Sequence, residues 1–250
     1  MTELPKRIIS LCPSLTETLF DLGLGKKVVG RTRFCIHPAP EVKKIPSVGG
    51  TKTVKYERFH ALQPDIIFAV KEENTKEMIE ALQKNFRVYL FDIETFADAL
   101  NMISTLGEIT DTQAKAAELR QNIEQAWAEI YQIFPSLATA YFIWKEPYML
   151  AGKNTFIDEV MTHIGLQNLA KGLDGRYPTL SEAALSELNP ELILLSSEPY
   201  PFQNEHISYF QQQIPAANIQ IVDGEFFSWY GSRMYAAAHY LKKCDFLSKK

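Results

Sequence analysis

From Glu108 to Phe134 the chain carries neither a glycine nor a proline, and Pro135 follows directly. Ala, Glu, Gln, Leu and Arg fill this stretch, and Asp111 stands where it can cap the start. Ala114, Ala117, Leu119, Ile123, Ala126, Trp127, Ile130 and Ile133 recur at helical spacing. The pattern predicts one helix of about 24 residues, ~36 Å long. Such an element, in the middle of 250 residues, is either a long helix inside one domain or a strut joining two lobes.

The flanking sequence favours the strut. Before it, apolar runs at Arg7–Leu11, Val28–Gly30, Asp65–Val70 and Arg87–Phe91 alternate with amphipathic stretches near Ser14–Leu22, Tyr56–Leu62, Asn74–Asn85 and Thr95–Leu106. After Pro135 the alternation resumes. Strand-like runs at Thr139–Trp144, Glu191–Ser196 and Ile219–Val222 are interleaved with helical patterns at Thr155–Ile164, Ser181–Leu188, Glu205–Gln213 and Tyr230–Lys243. This is the grammar of parallel sheets covered by helices. The expected fold class is therefore α/β, with two βα lobes, residues 1–108 and 136–250, joined by one long backbone helix over 109–135.

The halves also echo one another. Ala61–Phe68 (ALQPDIIF) matches Glu187–Leu194 (ELNPELIL) at an offset of 126, which also pairs Gly49 with Gly175 and Glu72 with Glu198. Leu19–Leu24 and Met161–Leu166 form a second echo in the same order. Two echoes in order point to internal duplication. Duplicated lobes leave a cleft between them, the default place for a ligand.

Several function classes are disfavoured. The formal net charge of −4 argues against nucleic-acid binding. No apolar run approaches the roughly 20 residues that span a bilayer. Met1–Arg7 lacks the basic start, apolar middle and small-residue cleavage site of a secretory signal, which leaves two alternatives: a cytoplasmic location, or a signal already removed from this sequence. Three cysteines, Cys12, Cys35 and Cys244, imply no disulfide framework. Gly23-Leu24-Gly25-Lys26-Lys27 lacks the spacing of a phosphate loop, and neither GxSxG nor HExxH occurs. No enzymatic activity and no catalytic cofactor are expected.

Arg7–Glu17 (RIISLCPSLTE) and the LQPDII run at Leu62–Ile67, together with the central helix, resemble the helical-backbone metal-receptor family, nearest to its vitamin B12-binding members. These are the class III periplasmic substrate-binding proteins of ABC importers for cobalamin, haem and ferric siderophores. The resemblance implies a monomer that captures a metal chelate in the cleft between its lobes and performs no chemistry on it. It implies a transient ABC permease partner and a periplasmic or cell-envelope location. A glutamate on each lobe, Glu72 and Glu198, is the implied permease contact, expected to be exposed. A cytoplasmic corrinoid or haem carrier or sensor, without a transporter, is the alternative.

Ligands meet the loops after the carboxyl ends of strands in such sheets. After the second strand, Phe34 can stack on a planar macrocycle and His37 can bond the ligand or coordinate its metal. At the first strand of the second lobe Trp144 divides evenly between core and cleft. In Gly175–Pro178, Tyr177 follows the cation Arg176. Asp223–Arg233 holds Phe226, Phe227, Trp229 and Tyr230, four aromatics in five residues, with Arg233 after them. Packing against neighbouring helices competes with a flat ligand here; the ligand reading takes Phe227, Trp229, Tyr230 and Arg233 as site residues. Trp229 and Phe34 are expected to face each other across the cleft.

Overall fold

Apolar runs with no polar alternation become the central strands, as they must when both faces of a parallel sheet are covered. The computed structural model describes residues 3–247, so the outer limits of the two expected lobes, Met1 and Lys250, lie outside the described residues. Two compact units emerge. The first takes the chain through Ile93, then Ala97–Glu124 and Trp229–Met234; the second takes Glu94–Phe96, Gln125–Ser228 and the chain from Tyr235 on.

In the first unit, β1 (Ile8–Ser10), β2 (Val28–Thr32), β3 (Ser47–Gly49), β4 (Ile66–Val70) and β5 (Val88–Phe91) form a sheet of order β3-β2-β1-β4-β5. Every neighbouring pair is parallel. Helices α1 (Pro13–Asp21), α2 (Tyr56–Leu62), α3 (Lys76–Gln83) and α4 (Phe96–Thr110) connect or follow these strands. Ile9, Leu11, Ile67 and Ala69 of the sheet region pack with Phe59 of α2 and Met78, Ile79 and Leu82 of α3. The strand order reverses between β1 and β4, so the loops after these strands, at Cys12 and at Glu72, flank the switch point where open sheets bind ligands.

The second unit is built on β6 (Ala138–Trp144), β7 (Tyr148–Leu150), β8 (Gln167–Asn168), β9 (Thr179–Leu180), β10 (Leu192–Ser196) and β11 (Asn218–Val222), in the order β11-β10-β6-β7-β9 with β8 beside β6. β6, β10 and β11 run parallel, and β7 returns antiparallel against the far end of β6. Helices α6 (Phe156–His163), α7 (Glu182–Leu188), α8 (Asn204–Gln213), α9 (Glu225–Ser228) and α10 (Arg233–Leu241) complete the chain. Phe142, Leu185, Ile193, Leu195 and Phe210 form much of this unit's core.

The echo is structural. Helix α2, its left-handed cap Gln63 (φ 45°) and strand β4 recur 126 residues later as α7, Asn189 (φ 46°) and β10, residue for residue. The acid after the shared proline does the same work twice: Asp65 Oδ2 accepts from the Lys6 and Arg7 amides (2.7 and 2.8 Å), and Glu191 Oε2 from the Ala138 amide (2.8 Å). Each carboxylate thus ties its module to the start of that unit's first strand.

The central helix differs from expectation. In place of one rod over 109–135 there are α4 and then α5 (Gln113–Ala128, 16 residues), separated at Asp111, which adopts φ 61°. Asp tolerates that conformation better than most residues, so it breaks the helix where it was expected to cap it. The Thr110 hydroxyl bonds the Leu106 carbonyl (2.6 Å) and Thr112 (2.9 Å), closing the corner. Gly107 lets the two helices approach: a Cβ there would stand 2.7 Å from the Ala116 Cβ. Ala116, Ile123, Ala126 and Trp127 are buried, whereas Ala114 and Ala117 are exposed. At the other end α5 stops at Ala128, where His163 Nε2 pairs with the Trp127 carbonyl (2.8 Å), and Gln132 takes φ 50° before Pro135. The lobe limits shift as well, since 94–96 cluster with the second unit and 229–234 with the first.

Candidate functional site

Each unit carries its own set of side chains at the carboxyl ends of its strands. In the first unit the turn after β2 holds Phe34 out to solvent, 46% exposed, with the Arg33 guanidinium 4.8 Å from its ring centre. Cys35 lies beneath it, buried, with its thiol against Thr16 Oγ1 (3.0 Å) and Thr32 Oγ1 (3.2 Å). His37 is half-buried, its ring edge-on to Trp229 at 5.6 Å. Trp229 is only 8% exposed, and the Arg233 guanidinium stands 5.3 Å from its ring.

Arg233 itself is spoken for. Its Nε and Nη2 donate to Glu17 Oε2 (2.9 Å) and Oε1 (2.7 Å), a fork-on-fork pair with side chains 11% and 17% exposed. Burial pushes the Glu17 carboxyl up and Arg233 pulls it back down, leaving it above the usual carboxylate range. Tyr230 is buried, its hydroxyl 3.6 Å from Cys12 Sγ. Gly231 follows at φ 81°, where any Cβ would collide with Thr18 Oγ1. The segment 229–233 is therefore interior packing of the first unit.

In the second unit Trp144 ends β6, is 40% exposed, and donates from Nε1 to the Glu146 carbonyl (3.1 Å) with its ring edge-on to Tyr200 at 5.5 Å. Tyr177 is 37% exposed, and the neighbouring Arg176 bonds Glu94 (3.4 Å). Phe227 is fully buried, tilted against Tyr141 at 5.1 Å, and Phe226 stacks on Tyr240 at 4.6 Å. The aromatic run thus divides at Ser228: Phe226 and Phe227 pack in one unit, Trp229 and Tyr230 in the other. The reading of Phe227, Tyr230 and Arg233 as ligand contacts is corrected, because rings and charge are satisfied inside. So is the expected opposition of Trp229 and Phe34, since both belong to the first unit.

The two glutamates expected to be exposed are half-buried. Glu198 Oε1 accepts from Ser228 Oγ (3.2 Å), and the Glu72 carbonyl accepts from Lys52 Nζ (2.6 Å). Among the described residues no group of three or more His, Cys, Asp or Glu side chains is placed to hold a metal ion, His37 included. Sequence reasoning missed Glu17, Tyr200 and a ring of cations around Phe34. The last had a visible signal: residues 31–58 carry seven Lys and Arg against two Glu, in a chain of net charge −4.

The thiols give a sharp contrast. Burial pushes Cys12 up to about 12 and raises Cys35, while Cys244 is half-buried with its thiol on the Tyr240 carbonyl (3.5 Å). The thiolate is the reactive form. Iodoacetamide at pH 8 is expected to label Cys244 first in the folded protein and Cys12 only on unfolding. Equal rates for all three would refute the burial. The Cys12 pKa is higher folded than unfolded, so its contribution to stability is complete below pH 9.0 and is lost as pH rises toward about 12. At pH 10 that loss is about 1.4 kcal/mol from this one group, readable by urea unfolding.

Comparison with known proteins bears on what such a pair of units does. The family described as periplasmic binding protein matches residues 8–219. A protein named vitamin B12-binding protein, from Pectobacterium carotovorum subsp. carotovorum (strain PC1), is 27% identical over 249 residues, covering 94% of this chain and 86% of its own length. An uncharacterized ABC transporter substrate-binding lipoprotein of Bacillus subtilis (strain 168) is 30% identical over 202 residues, 76% of this chain and 63% of its own. Among solved structures, the periplasmic vitamin B12 binding protein BtuF of Vibrio cholerae superposes with a TM-score of 0.81 at 21% identity, covering 95% of each chain, a likeness of fold.

Proposed function

The chain belongs to the periplasmic binding protein family, and from that premise we propose that it captures a metal chelate and delivers it to an ABC importer unchanged. The chelate is cobalamin or another corrinoid, haem or a ferric siderophore, and the place of work is the periplasm or cell envelope. The observation that carries this reading is similarity along 94% of the chain to a protein named for vitamin B12. The site chemistry supports it. Phe34 and Tyr177 in loops and Trp144 at the end of β6 offer flat apolar faces in either unit, which a macrocycle or aromatic chelator can cover. His37 can add a nitrogen ligand to an incoming metal, and the Tyr177 hydroxyl an oxygen ligand.

The test is an ultraviolet–visible titration with cyanocobalamin, haemin and a ferric hydroxamate. At least one band is expected to shift on binding. Three unchanged spectra, with no quenching of tryptophan fluorescence, would sink the proposal.

A second reading, a cytoplasmic corrinoid or haem carrier or sensor without a transporter, draws on the internal bond of Glu198 to Ser228, which ties up the carboxylate a permease would read. Charge reversal separates the two. For an importer, Glu72→Lys with Glu198→Lys should abolish stimulation of the permease ATPase and leave chelate affinity within about twofold, because rim charges act on association with the partner. Unchanged stimulation would favour the carrier or move the docking elsewhere.

A further inference from the structure

A cavity of about 480 Å³ opens beside Phe34 within the first unit. Arg33, Lys52, Lys55 and Arg58 line it, with Phe34 and the Gly49–Gly50 turn, and no Asp or Glu is among the lining residues. The backbone holds the wall in place. The Arg33 amide donates to the Gly49 carbonyl (2.7 Å), the Gly50 amide to the Thr53 carbonyl (2.7 Å) and the Lys55 amide to the Val48 carbonyl (2.8 Å). Gly49, at φ 136°, permits this fold-back, since a Cβ there would stand 2.6 Å from the Thr53 carbonyl oxygen. The acids near this wall include Glu72 and Glu73 after β4 and Glu57, which precedes Arg58 in α2. Lys52 bonds the Glu72 main chain, and its charge lowers a Glu73 carboxyl that burial otherwise raises. The Arg58 guanidinium donates to the Ser47 carbonyl, which orients it without neutralising it.

We infer that this cavity receives an oxyanion arm, a carboxylate, phosphate or phenolate, of the captured chelate, so that the preferred cargo is an anionic chelate. The inference rests on the capture function proposed above and adds its substrate class. Phe34 covers the planar part of the ligand while Arg33, stacked on the same ring, directs its donors to the arm. Several cations around one concave wall act together on a multiply charged group, where any single exposed pair would contribute little. Charge of this sign inside an acidic chain also opposes the protein's own net repulsion of an anionic ligand.

The experiment measures dissociation constants by tryptophan quenching for two anionic probes, haemin and a ferric tris-catecholate, and two neutral ones without an oxyanion arm, haem dimethyl ester and a neutral ferric tris-hydroxamate. The full chain is compared with Lys55→Gln/Arg58→Gln and with Lys43→Gln/Lys44→Gln, which removes equal charge outside the cavity. Anionic probes are expected to bind tighter than neutral ones. The cavity variant should weaken them about five- to tenfold, the control variant less than twofold, and neutral probes should not respond. Melting curves for both variants should match the parent. Binding by neutral probes alone, or equal losses in both variants, would overturn the anionic-arm assignment and leave the capture function standing. No binding by any probe would overturn both.

Discussion

Replacing Arg233 by Met is expected to lower the melting temperature by about 10 °C, the largest effect of any charge removal in the first unit. The argument starts from the two-point contact with Glu17, whose side chain is 17% exposed. Removing the guanidinium leaves a carboxylate with little access to water and no counter-charge, and stranding one member of such a pair costs about 3–5 kcal/mol. At about 2–4 °C per kcal/mol for a chain of this size, that is on the order of 10 °C. Glu17→Leu added to Arg233→Met should recover most of the loss, because two apolar groups can fill the space the pair occupied. Calorimetry on the single and double variants decides. A stable Arg233→Met protein with weakened chelate binding would instead restore Arg233 to the ligand, as the sequence alone had suggested.

The tryptophans make the second prediction. Trp229→Ala should cost about 3–5 kcal/mol, because a large ring at 8% exposure is removed from beneath His37 and Arg233 and leaves a cavity. Trp144→Ala should leave stability within about 1 kcal/mol, since 40% of that side chain already meets water. Chelate binding should move the other way: about tenfold weaker for Trp144→Ala and nearly unchanged, per folded molecule, for Trp229→Ala. Melting curves and quenching titrations on both variants test the assignment, and a reversal of the pattern would return Trp229 to the site.

Much of the architecture was legible because its signals are local. The runs at Asp65–Val70 and Glu191–Ser196 are apolar on both faces, and each is announced by a left-handed cap, a proline and an acid. β3 and β7 were missed because three-residue strands, Ser47–Gly49 and Tyr148–Leu150, show no period of their own and form only against neighbours. The central helix was over-read for a related reason: a single left-handed residue at Asp111 changes no composition and leaves no Gly or Pro mark. In the site, exposure separated what composition could not. Phe34 and Phe227 are the same side chain to a sequence reader, yet one is 46% exposed and the other 0%. The partners that buried Trp229, Tyr230 and Arg233 sit at Glu17, Cys12 and His37, more than 190 positions away, beyond any local pattern. The cation-lined cavity gathers residues 33 to 58 from three consecutive segments, so only their shared charge betrayed it.

The return of residues 229–234 to the first unit sets an order on its birth. A nascent chain that has emerged only through Glu124 holds every strand of the first sheet but not the arginine that answers Glu17, nor the backbone amide of Ser232 that bonds Thr18 Oγ1 (3.0 Å). At about 5–20 residues per second, the ribosome needs roughly 5–20 s to translate the interval up to Trp229. Until then Glu17 and Thr18 are without these two partners. The first unit's last stitch comes more than 100 residues after Glu124, so vectorial synthesis cannot finish the two units in the order in which they begin.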